Sequence, residues 1–352
     1  MKQKNFKEIY DEIYTCVGQE MESKRKSMFW KLMFTVILVM IAAGIFVRLF
    51  ISPDNSIYLV GIIMAILIII CSTWGIIFSG IQRSYKKEYK EKIINEIVKR
   101  SNPSFVYSYK EGISPKEYAV SGFDYGWDIY STEDLICGVL EDGSDLKMAQ
   151  VRTEVEHTST DSDGSTSTSY ETTFYGLYGV ITLKTETNAD FMIRDNSKFA
   201  KFNKSRIEME SAEFEKYYDV YADAYNKSNG QKTLEILTPE AIEEFVKIRN
   251  LFKKPLNVRV NGNKIYFRIW VGDIFEPPTF KSSVNFEMLY RYFLIIDVPR
   301  MLYETLIDNI LVMYGSQYAK DNRNLAKMSE EQKEEFLKKK EETEKSTYFS
   351  HN

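Results

Sequence analysis

Two long apolar runs near the N-terminus constrain this chain more than any other feature. They read MFWKLMFTVILVMIAAGIFVRLFI from Met28 and IYLVGIIMAILIIICSTWGIIFSGI from Ile57, with SPDNS between them. Each has roughly the 20 residues that a helix needs to cross a hydrocarbon core of about 30 Å. The second run carries no charged residue. Residues 28–81 therefore predict a transmembrane helical hairpin, with spans at about residues 29–51 and 57–80.

Basic residues flank the two predicted spans on the same side of the membrane. Asp54 lies in the turn between the spans, which has no Lys or Arg. The flanking bases are Lys24, Arg25, Lys26 and Lys31 around the first span, and Arg83, Lys86, Lys87, Lys90 and Lys92 after the second. Because basic flanks stay on the cytoplasmic side, we expect a multi-pass protein of the inner (plasma) membrane with both termini in the cytoplasm. The same bases predict attraction to anionic lipid headgroups.

The spans themselves offer little polar chemistry. Lys31 and Arg48 lie close enough to the span ends to reach the headgroups, which favours snorkelling over a functional charge. Small residues recur at spacings of four within the second span: Gly61 and Ala65, then Cys71, Gly75 and Ser79. Such residues let helices approach closely, either within the hairpin or between copies in an oligomer. Both alternatives remain open at this point.

Composition narrows the function classes. The chain has 352 residues and a net charge of −4, so no global basic field points to nucleic acid as a partner. The three cysteines, Cys16, Cys71 and Cys137, are far apart and form no Cys-x-x-Cys pair, as expected in a reducing compartment. Tyr, Ile, Lys and Asn are abundant, which is typical of proteins from AT-rich bacterial genomes.

Helices are predicted on both sides of the hairpin. In residues 1–27, Phe6, Ile9, Tyr10, Ile13 and Val17 have helical spacing, which predicts an amphipathic cytoplasmic helix. It could lie on lipid or pack on protein, and its mixed charges favour packing. Residues 82–100 continue the second span as a charged juxtamembrane helix. The sequence Ser101-Asn102-Pro103 should end that helix, since a residue before proline avoids helical backbone.

Residues 101–318 predict a cytoplasmic α+β domain with a mainly antiparallel sheet and packed helices. Capping residues Ser114, Ser211 and Thr238 mark helix starts. A final helix is expected from Phe286 to about Tyr314. The predicted strands are Asp134–Leu140, Leu146–Glu156, Glu171–Leu183, a strand around Phe191 and Ile193, Tyr217–Tyr221, Thr233–Leu237, Leu256–Val260 and Lys264–Val271. Asn261-Gly262 is the strongest hairpin signal.

Two polar segments predict little packed structure. The Ser/Thr-rich loop at residues 158–169 cannot bury apolar surface, so we expect a mobile loop there. The tail at residues 319–352 mixes both charge signs and should be a solvated helix or partly disordered.

No motif assigns catalytic, cofactor-binding or metal-binding residues. Asp161-Ser-Asp163-Gly164 resembles part of an EF-hand loop, but aligning Gly164 puts Ser159 at the first ligand position and Tyr170 at the last. His157 has no second ligand at metal-binding spacing, so an exposed loop histidine is expected. Cys137 should be a small buried strand residue. Phe174, Tyr175 and Tyr178 are expected to pack the sheet rather than to stack on bases.

Several short stretches resemble, in order, an uncharacterised bacterial membrane family known as domain of unknown function 3137. They are Glu133-Asp134-Leu-Ile-Cys-Gly138, Thr173-Phe-Tyr-Gly-Leu177, Glu213-Phe-Glu-Lys-Tyr-Tyr-Asp-Val-Tyr-Ala222, Ile236-Leu-Thr-Pro239, Asn263-Lys-Ile-Tyr-Phe267 and Phe275-Glu-Pro. The resemblance covers most of residues 85–310 and implies an integral membrane protein with a cytoplasmic domain. It suggests a LemA-type membrane protein as a partner and supplies no catalytic residues.

Three function classes follow from these features. The first is a membrane-anchored binding or scaffold domain, which the uninterrupted hairpin and the scarcity of His and Cys favour. The alternative is a membrane-surface enzyme whose site is assembled from distant strands. A channel or transporter accessory subunit is the third, and two spans without an internal polar pathway argue against it.

Overall fold

A computed structural model describes residues 3–51, 57–124, 126–161, 163–187, 189–196, 205–222, 227–278 and 282–310. The chain divides into two compact units, neither of them continuous in sequence. We call them the helical unit (residues 1–112, 132–136 and 273–297) and the sheet unit (residues 113–131, 137–272 and 298–352). The predicted tail at residues 319–352 lies outside the described residues.

The α+β class is confirmed. The described helices are α1 Gln3–Ile13, α2 Gln19–Ile51, α3 Ile57–Tyr89, α4 Asn95–Ser101, α5 Pro115–Val120, α6 Ala212–Tyr217, α7 Lys227–Ile236, α8 Pro239–Phe252, α9 Phe286–Ile296 and α10 Val298–Leu302, with π-helical turns at Tyr14–Gly18, Lys90–Ile94 and Tyr303–Ile307. The described strands are β1 Val106–Ser108, β2 Ile129–Val139, β3 Asp145–Thr160, β4 Thr166–Thr182, β5 Asp190–Asp195, β6 Arg206–Ile207, β7 Tyr218–Ala222, β8 Leu256–Asn261 and β9 Lys264–Ile269.

The N-terminal helix packs on protein, as its mixed charges predicted. Phe6 and Ile13 are buried, and the Phe6 ring lies 5.0–5.4 Å from the rings of Phe286, Tyr290 and Phe293 in α9. The apolar face that the sequence pattern placed on α1 is therefore covered by aromatic side chains of the same unit.

Among the described residues, one helix is long and apolar enough to cross a membrane, at Phe6–Ile45. It covers residues 29–45 of the first predicted span. The second predicted span falls in α3, which contacts α2. The predicted turn at residues 52–56 lies outside the described residues.

The sheet unit is antiparallel wherever its register is described. Its strand order runs β2-β3-β4-β9-β8-β5-β7-β6, while β1 neighbours β2 in the helical unit. The predicted Asn261-Gly262 hairpin joins β8 to β9, with Gly262 in the left-handed conformation at φ 59°. Phe174 and Tyr178 of β4 are buried, as expected, whereas Cys137 is half-buried.

The predicted strand Thr233–Leu237 is wrong, because this segment closes helix α7. Thr233, Ile236 and Leu237 are all buried, and their spacing of three and four residues places them on one helical face. The backbone N–H of Leu237 donates to the Thr233 carbonyl, 2.8 Å away. The β-branched composition of the segment misled the prediction, since tertiary packing overrides local propensity.

Two further expectations are corrected. The mobile loop predicted at residues 158–169 is mostly strand, since β3 and β4 stay paired out to Thr160 and Thr166. The predicted final helix is interrupted after α9 at Asp297, and α10 then carries Pro299 in its first turn. Proline lacks the N–H that would continue the hydrogen bonds of α9. Residues 311–314 lie outside the described residues.

Gly176 should be intolerant of any side chain. A Cβ built at this position in β4 overlaps the backbone oxygen of Ile269 and the backbone nitrogen of Val271. We expect Gly176→Ala to lower the free energy of unfolding by about 1–3 kcal/mol, as overpacking does. Gly230→Ala in α7 is the control: a Cβ there meets nothing within 4 Å, so stability should be unchanged or higher by about 0.5–1 kcal/mol. Guanidinium unfolding of the full chain in detergent measures both, and equal effects would contradict the packing.

Candidate functional site

The most unusual charged residue of the helical unit is Lys90. It opens the π-helical turn Lys90–Ile94, in which the Asn95 N–H donates back to the Lys90 carbonyl. Such a turn holds one extra residue, so Lys90 points inward together with Ile93 and Ile94, and all three are buried. Lys90 therefore presents no charge to lipid headgroups, which corrects its assignment to the basic flank.

Lys90 ends in a buried network of carboxylates. Its Nζ donates to Asp134 Oδ2 at 2.6 Å and to Glu133 Oε2 at 3.2 Å. The side chains of Lys90 and Asp134 are fully buried, with 0% exposed. The Tyr107 hydroxyl donates to the second oxygen of Asp134 at 2.5 Å.

A further acid and base complete what we call the Lys90 cluster: Lys86, Lys90, Tyr107, Glu133, Asp134 and Glu276. Glu276 lies 3.7 Å from Lys90 Nζ and 2.5 Å from Lys86 Nζ. The Tyr292 hydroxyl of α9 donates to the Glu276 backbone carbonyl, and the Tyr107 ring meets the neighbouring Phe275 ring edge-on. The cluster thus joins α3 and the following turn to β1, β2 and the segment before α9.

The backbone of Asp134 explains how two consecutive acids reach one lysine. Side chains of neighbouring strand residues normally point to opposite faces, yet Glu133 and Asp134 both contact Lys90. Asp134 has φ 63°, a left-handed conformation within β2 that breaks the alternation. Aspartate is among the few non-glycine residues that adopt it readily. An uncommon conformation held by its surroundings is itself a reason to examine a site.

Burial dominates the electrostatics of the cluster. It raises the pKa of Asp134 to about 6, although the Lys90 cation and the Tyr107 hydroxyl oppose the shift. Burial and the nearby Asp134 charge also raise the pKa of the Tyr107 hydroxyl. Asp134 is therefore a carboxyl group whose protonation changes near physiological pH while it remains bonded to a buried lysine.

Geometry shows what the cluster can do. The central atoms are enclosed, and the partly exposed rim consists of Lys86, Glu133 and Glu276. Across the described ranges, no group of three or more His, Cys, Asp or Glu side chains is placed to hold a metal. The arrangement fixes distant chain segments against the helix that follows the second predicted span. It offers a substrate only its carboxylate and ammonium rim.

Sequence reasoning identified part of this cluster for another reason. Glu133-Asp134 and Phe275-Glu-Pro are two of the stretches that carry the family resemblance, and the structure brings them together at Lys90. Lys90 and Tyr107 were missed as site residues. A signal existed for Lys90, since it directly follows Tyr89 in a helix whose buried side includes Ile93 and Ile97.

One known family matches part of the chain. Residues 172–306 match the family model described as "Protein of unknown function (DUF3137)". This stretch is a DUF3137 domain. It begins in β4 and contains Glu276, whereas the other members of the Lys90 cluster precede it. No curated protein and no solved structure matches the chain.

Removing the buried cation should be costly. Lys90→Met leaves Asp134 buried without its ion partner, which typically lowers the free energy of unfolding by about 3–5 kcal/mol. Lys92→Met is the matched control, because Lys92 is 39% exposed and forms surface pairs with Glu20 and Glu88. Surface pairs of this kind contribute little to stability, because water and salt screen them. Guanidinium unfolding in detergent compares the two, and similar losses would show that Lys90 is not buried as described.

The Asp134 pKa predicts a specific pH dependence. The pKa of Asp134 is about 6 in the folded protein and 3.8 ordinarily, so this group stabilises the fold below about pH 4, and that contribution is lost as pH rises through 6. Asp134→Asn keeps a residue suited to the left-handed backbone and removes the titration. The free energy of unfolding of wild type, compared with that of Asp134→Asn at the same pH, should decrease by about 3 kcal/mol between pH 4 and pH 7. A pH-independent difference would contradict the assignment.

Proposed function

We propose that this protein is a two-span membrane protein whose hairpin carries a cytoplasmic binding or scaffold domain. The observation that carries the proposal is the continuity of one helix. Helix α3, which includes the second predicted span, runs through the π-helical turn directly into α4. Its membrane-distal end holds Tyr89 and Lys90, both fully buried in the helical unit.

Exposed apolar surface on α2 and α3 supports the membrane assignment. Soluble proteins rarely leave large contiguous apolar patches in water, and lipid would cover such a surface. The residues with more than half of their surface exposed include Trp30, Phe34, Ile37, Met40, Ile41, Ile45, Ile68, Ile69, Ile76 and Ile77. The two-span topology with both termini inside rests on the basic flanks and on the base-free turn.

Side-chain contacts hold the predicted anchor helices to each other and to the segment before α9. At the cytoplasmic end of the predicted hairpin, Lys24 of α2 pairs with Glu88 of α3 at 2.5 Å. Arg25 binds both carboxylate oxygens of Glu22, and Glu22 accepts the Val284 N–H. Such contacts are consistent with a scaffold that is held at the membrane surface. A LemA-type membrane protein remains our proposed partner.

Anionic headgroups are a second proposed partner, through fewer bases than the sequence indicated. Lys24 and Lys92 are engaged by Glu20 and Glu88. Lys26, Arg83 and Lys87 are exposed and remain suited to lipid. Each would contribute about 1 kcal/mol of attraction near an anionic surface.

One observation favours a membrane-surface enzyme as the second candidate. A carboxyl group with a pKa of about 6, in a cluster assembled from distant segments, has the property expected of a general base. Its enclosure argues for the scaffold instead, because Asp134 has no exposed side-chain surface. The enzyme would be favoured if both variants fold and Lys92→Met retains catalytic turnover while Asp134→Asn loses it.

Topology can be tested by cysteine labelling. In a chain with Cys16, Cys71 and Cys137 changed to Ser, an impermeant maleimide applied to intact cells should label Asn55→Cys and spare Thr168→Cys. Permeabilised cells should label both, which controls for reactivity. Labelling of Thr168→Cys in intact cells would place the β3–β4 hairpin outside and overturn the proposal.

Removing the spans tests whether they act as an anchor. Met28 can be joined to Arg83 by a Gly/Ser linker of about six residues, which spans roughly 13 Å. The adjacent Lys24 and Glu88 show that the helices run side by side near this point. We expect a soluble protein with an unfolding transition as cooperative as that of the full chain. Aggregation of this variant without cooperative unfolding would mean that the spans are part of the folding core.

A further inference from the structure

The far end of the β3–β4 hairpin is exposed along its described length. We call residues 156–161 and 163–171 the hairpin arm. Every residue of the arm is exposed, whereas the same strands are largely buried from Leu146 to Val151 and from Phe174 to Ile181. A two-stranded ribbon is at best marginally stable in water by itself. Its pairing nevertheless continues in regular register out to Thr160 and Thr166.

The hydrogen-bond alternation shows which backbone groups of β4 are open. The Asp161 N–H donates to the Ser165 carbonyl and the Gly164 N–H donates to the Asp161 carbonyl. Because antiparallel residues alternate between bonded and non-bonded pairs, the next bonded pairs are Ser159 with Ser167 and then His157 with Ser169. The residues between them turn their N–H and C=O groups to the outer edge of β4: Thr166, Thr168, Tyr170 and Thr172.

No described strand occupies that outer edge. Strand β9 pairs with β4 only from Leu177 to Thr182, and one more bond joins Gly272 to Tyr175. The outer edge of β3 is different, since Asp128 closes it. The Asp128 N–H donates to the Glu154 carbonyl, and the Asp128 carboxylate accepts the Glu156 N–H. The open edge of β4, from Thr166 to Thr172, is thus the longer and less protected one.

This edge lacks the features that prevent strand addition. Natural sheets protect exposed edges with Lys, Pro, bulges or short strands. The sequence Thr-Ser-Thr-Ser-Tyr-Glu-Thr from Thr166 to Thr172 contains neither Lys nor Pro, and the register shift lies beyond it, at the pairing of Thr153 and Glu154. Four regularly spaced donor and acceptor pairs form a template for an incoming extended segment.

The charge of the hairpin arm indicates which kind of partner would bind the open edge of β4. From Glu156 to Glu171 the chain has four acids and no Lys or Arg: Glu156, Asp161, Asp163 and Glu171. Glu171 also lies 3.0 Å from the ring nitrogen Nε2 of His157. A hydrogen bond from the Ser165 backbone lowers the pKa of Asp163, which favours its charged form. Like charge disfavours a second copy of the arm and an anionic bilayer, whereas a strand with alternating Lys or Arg would place its cations beside Glu171.

We propose that the open edge of β4, Thr166–Thr172, binds an extended, Lys/Arg-rich segment of a partner protein by strand addition. This proposal rests on the proposed function as a cytoplasmic binding domain, and it names the surface and the chemistry of the partner. Main-chain hydrogen bonds supply the affinity, and the acidic arm supplies the preference for basic segments.

The test uses the full chain in non-ionic detergent and a fluorescent ten-residue probe that alternates Lys with Thr and Val. Anisotropy should report saturable binding that weakens with salt. A probe of the same sequence with alternate amides N-methylated keeps its charge but cannot pair along one edge. We expect its dissociation constant to be at least tenfold higher. Equal binding of the two probes would show charge attraction alone and would overturn the proposal.

Two proline variants locate the edge. Thr168→Pro removes an outward N–H of β4 that the arm itself does not use, and Thr158→Pro removes the corresponding outward N–H of β3. We expect Thr168→Pro to raise the dissociation constant at least tenfold and Thr158→Pro to change it less than twofold. Glu171→Lys should reverse the preference towards a Glu-containing probe without unfolding the arm.

Failure of this proposal can be told apart from failure of the proposed function. If maleimide labelling places Thr168 inside but Thr168→Pro binds the probe as wild type does, the strand-addition site is wrong and the anchored domain stands. If the wild-type chain forms a dimer that Thr168→Pro dissociates, the occupant is a second copy and the basic partner is wrong.

Discussion

The ion pair between Lys90 and Asp134 is the contact on which the helical unit depends. A buried ion pair is stable only when each charged group finds well-placed hydrogen-bond partners. Here Lys90 Nζ lies 2.6 Å from Asp134 Oδ2, and the Tyr107 hydroxyl donates to the other carboxylate oxygen. The lysine comes from the helix that continues the second predicted span, and the aspartate comes from a strand. The loss of Lys90 would leave Asp134 buried without a cation, and the loss of Asp134 would leave the buried Lys90 with Glu133 and Glu276 as its remaining carboxylate partners.

Apolar side chains could have filled the space that Lys90 and Asp134 occupy, so the presence of a buried ion pair there needs an explanation. Leucine side chains tolerate rotation and sliding of a helix, whereas a lysine with two acceptors at 2.6 and 3.2 Å does not. The π-helical turn and the left-handed Asp134 are both departures from regular geometry that this pairing requires. The directionality fixes the rotation of the helix about its axis within the helical unit. Our proposal is that the cluster serves this specificity rather than added stability.

The sequence predicted elements well where local chemistry decides them. Ser114, Ser211 and Thr238 cap helices as expected, each accepting an N–H three residues on, and Asn261-Gly262 makes the predicted hairpin. The sequence-based prediction failed where contacts with residues distant in sequence determine the local structure. Thr233–Leu237 has strand composition but packs one helical face, and Lys90 turns inward only because a π-helical turn shifts the register. The Lys90 cluster also joins residues up to 190 positions apart (Lys86 and Glu276), which no periodicity records.

The same strands that hold the core of the sheet unit also form its exposed arm, and the register shift between Thr153 and Glu154 marks the boundary. Phe174, opposite Thr153, is buried, and the centroids of its ring and of the Phe123 ring each lie 4.9 Å from the Arg268 guanidinium. Asp124 binds that guanidinium at 2.5 Å. A stacked and ion-paired arginine thus secures the base of the arm, while the arm beyond it contributes no buried surface. Because stability is concentrated at the base, the arm can bind and release a partner strand without unfolding the sheet that carries it.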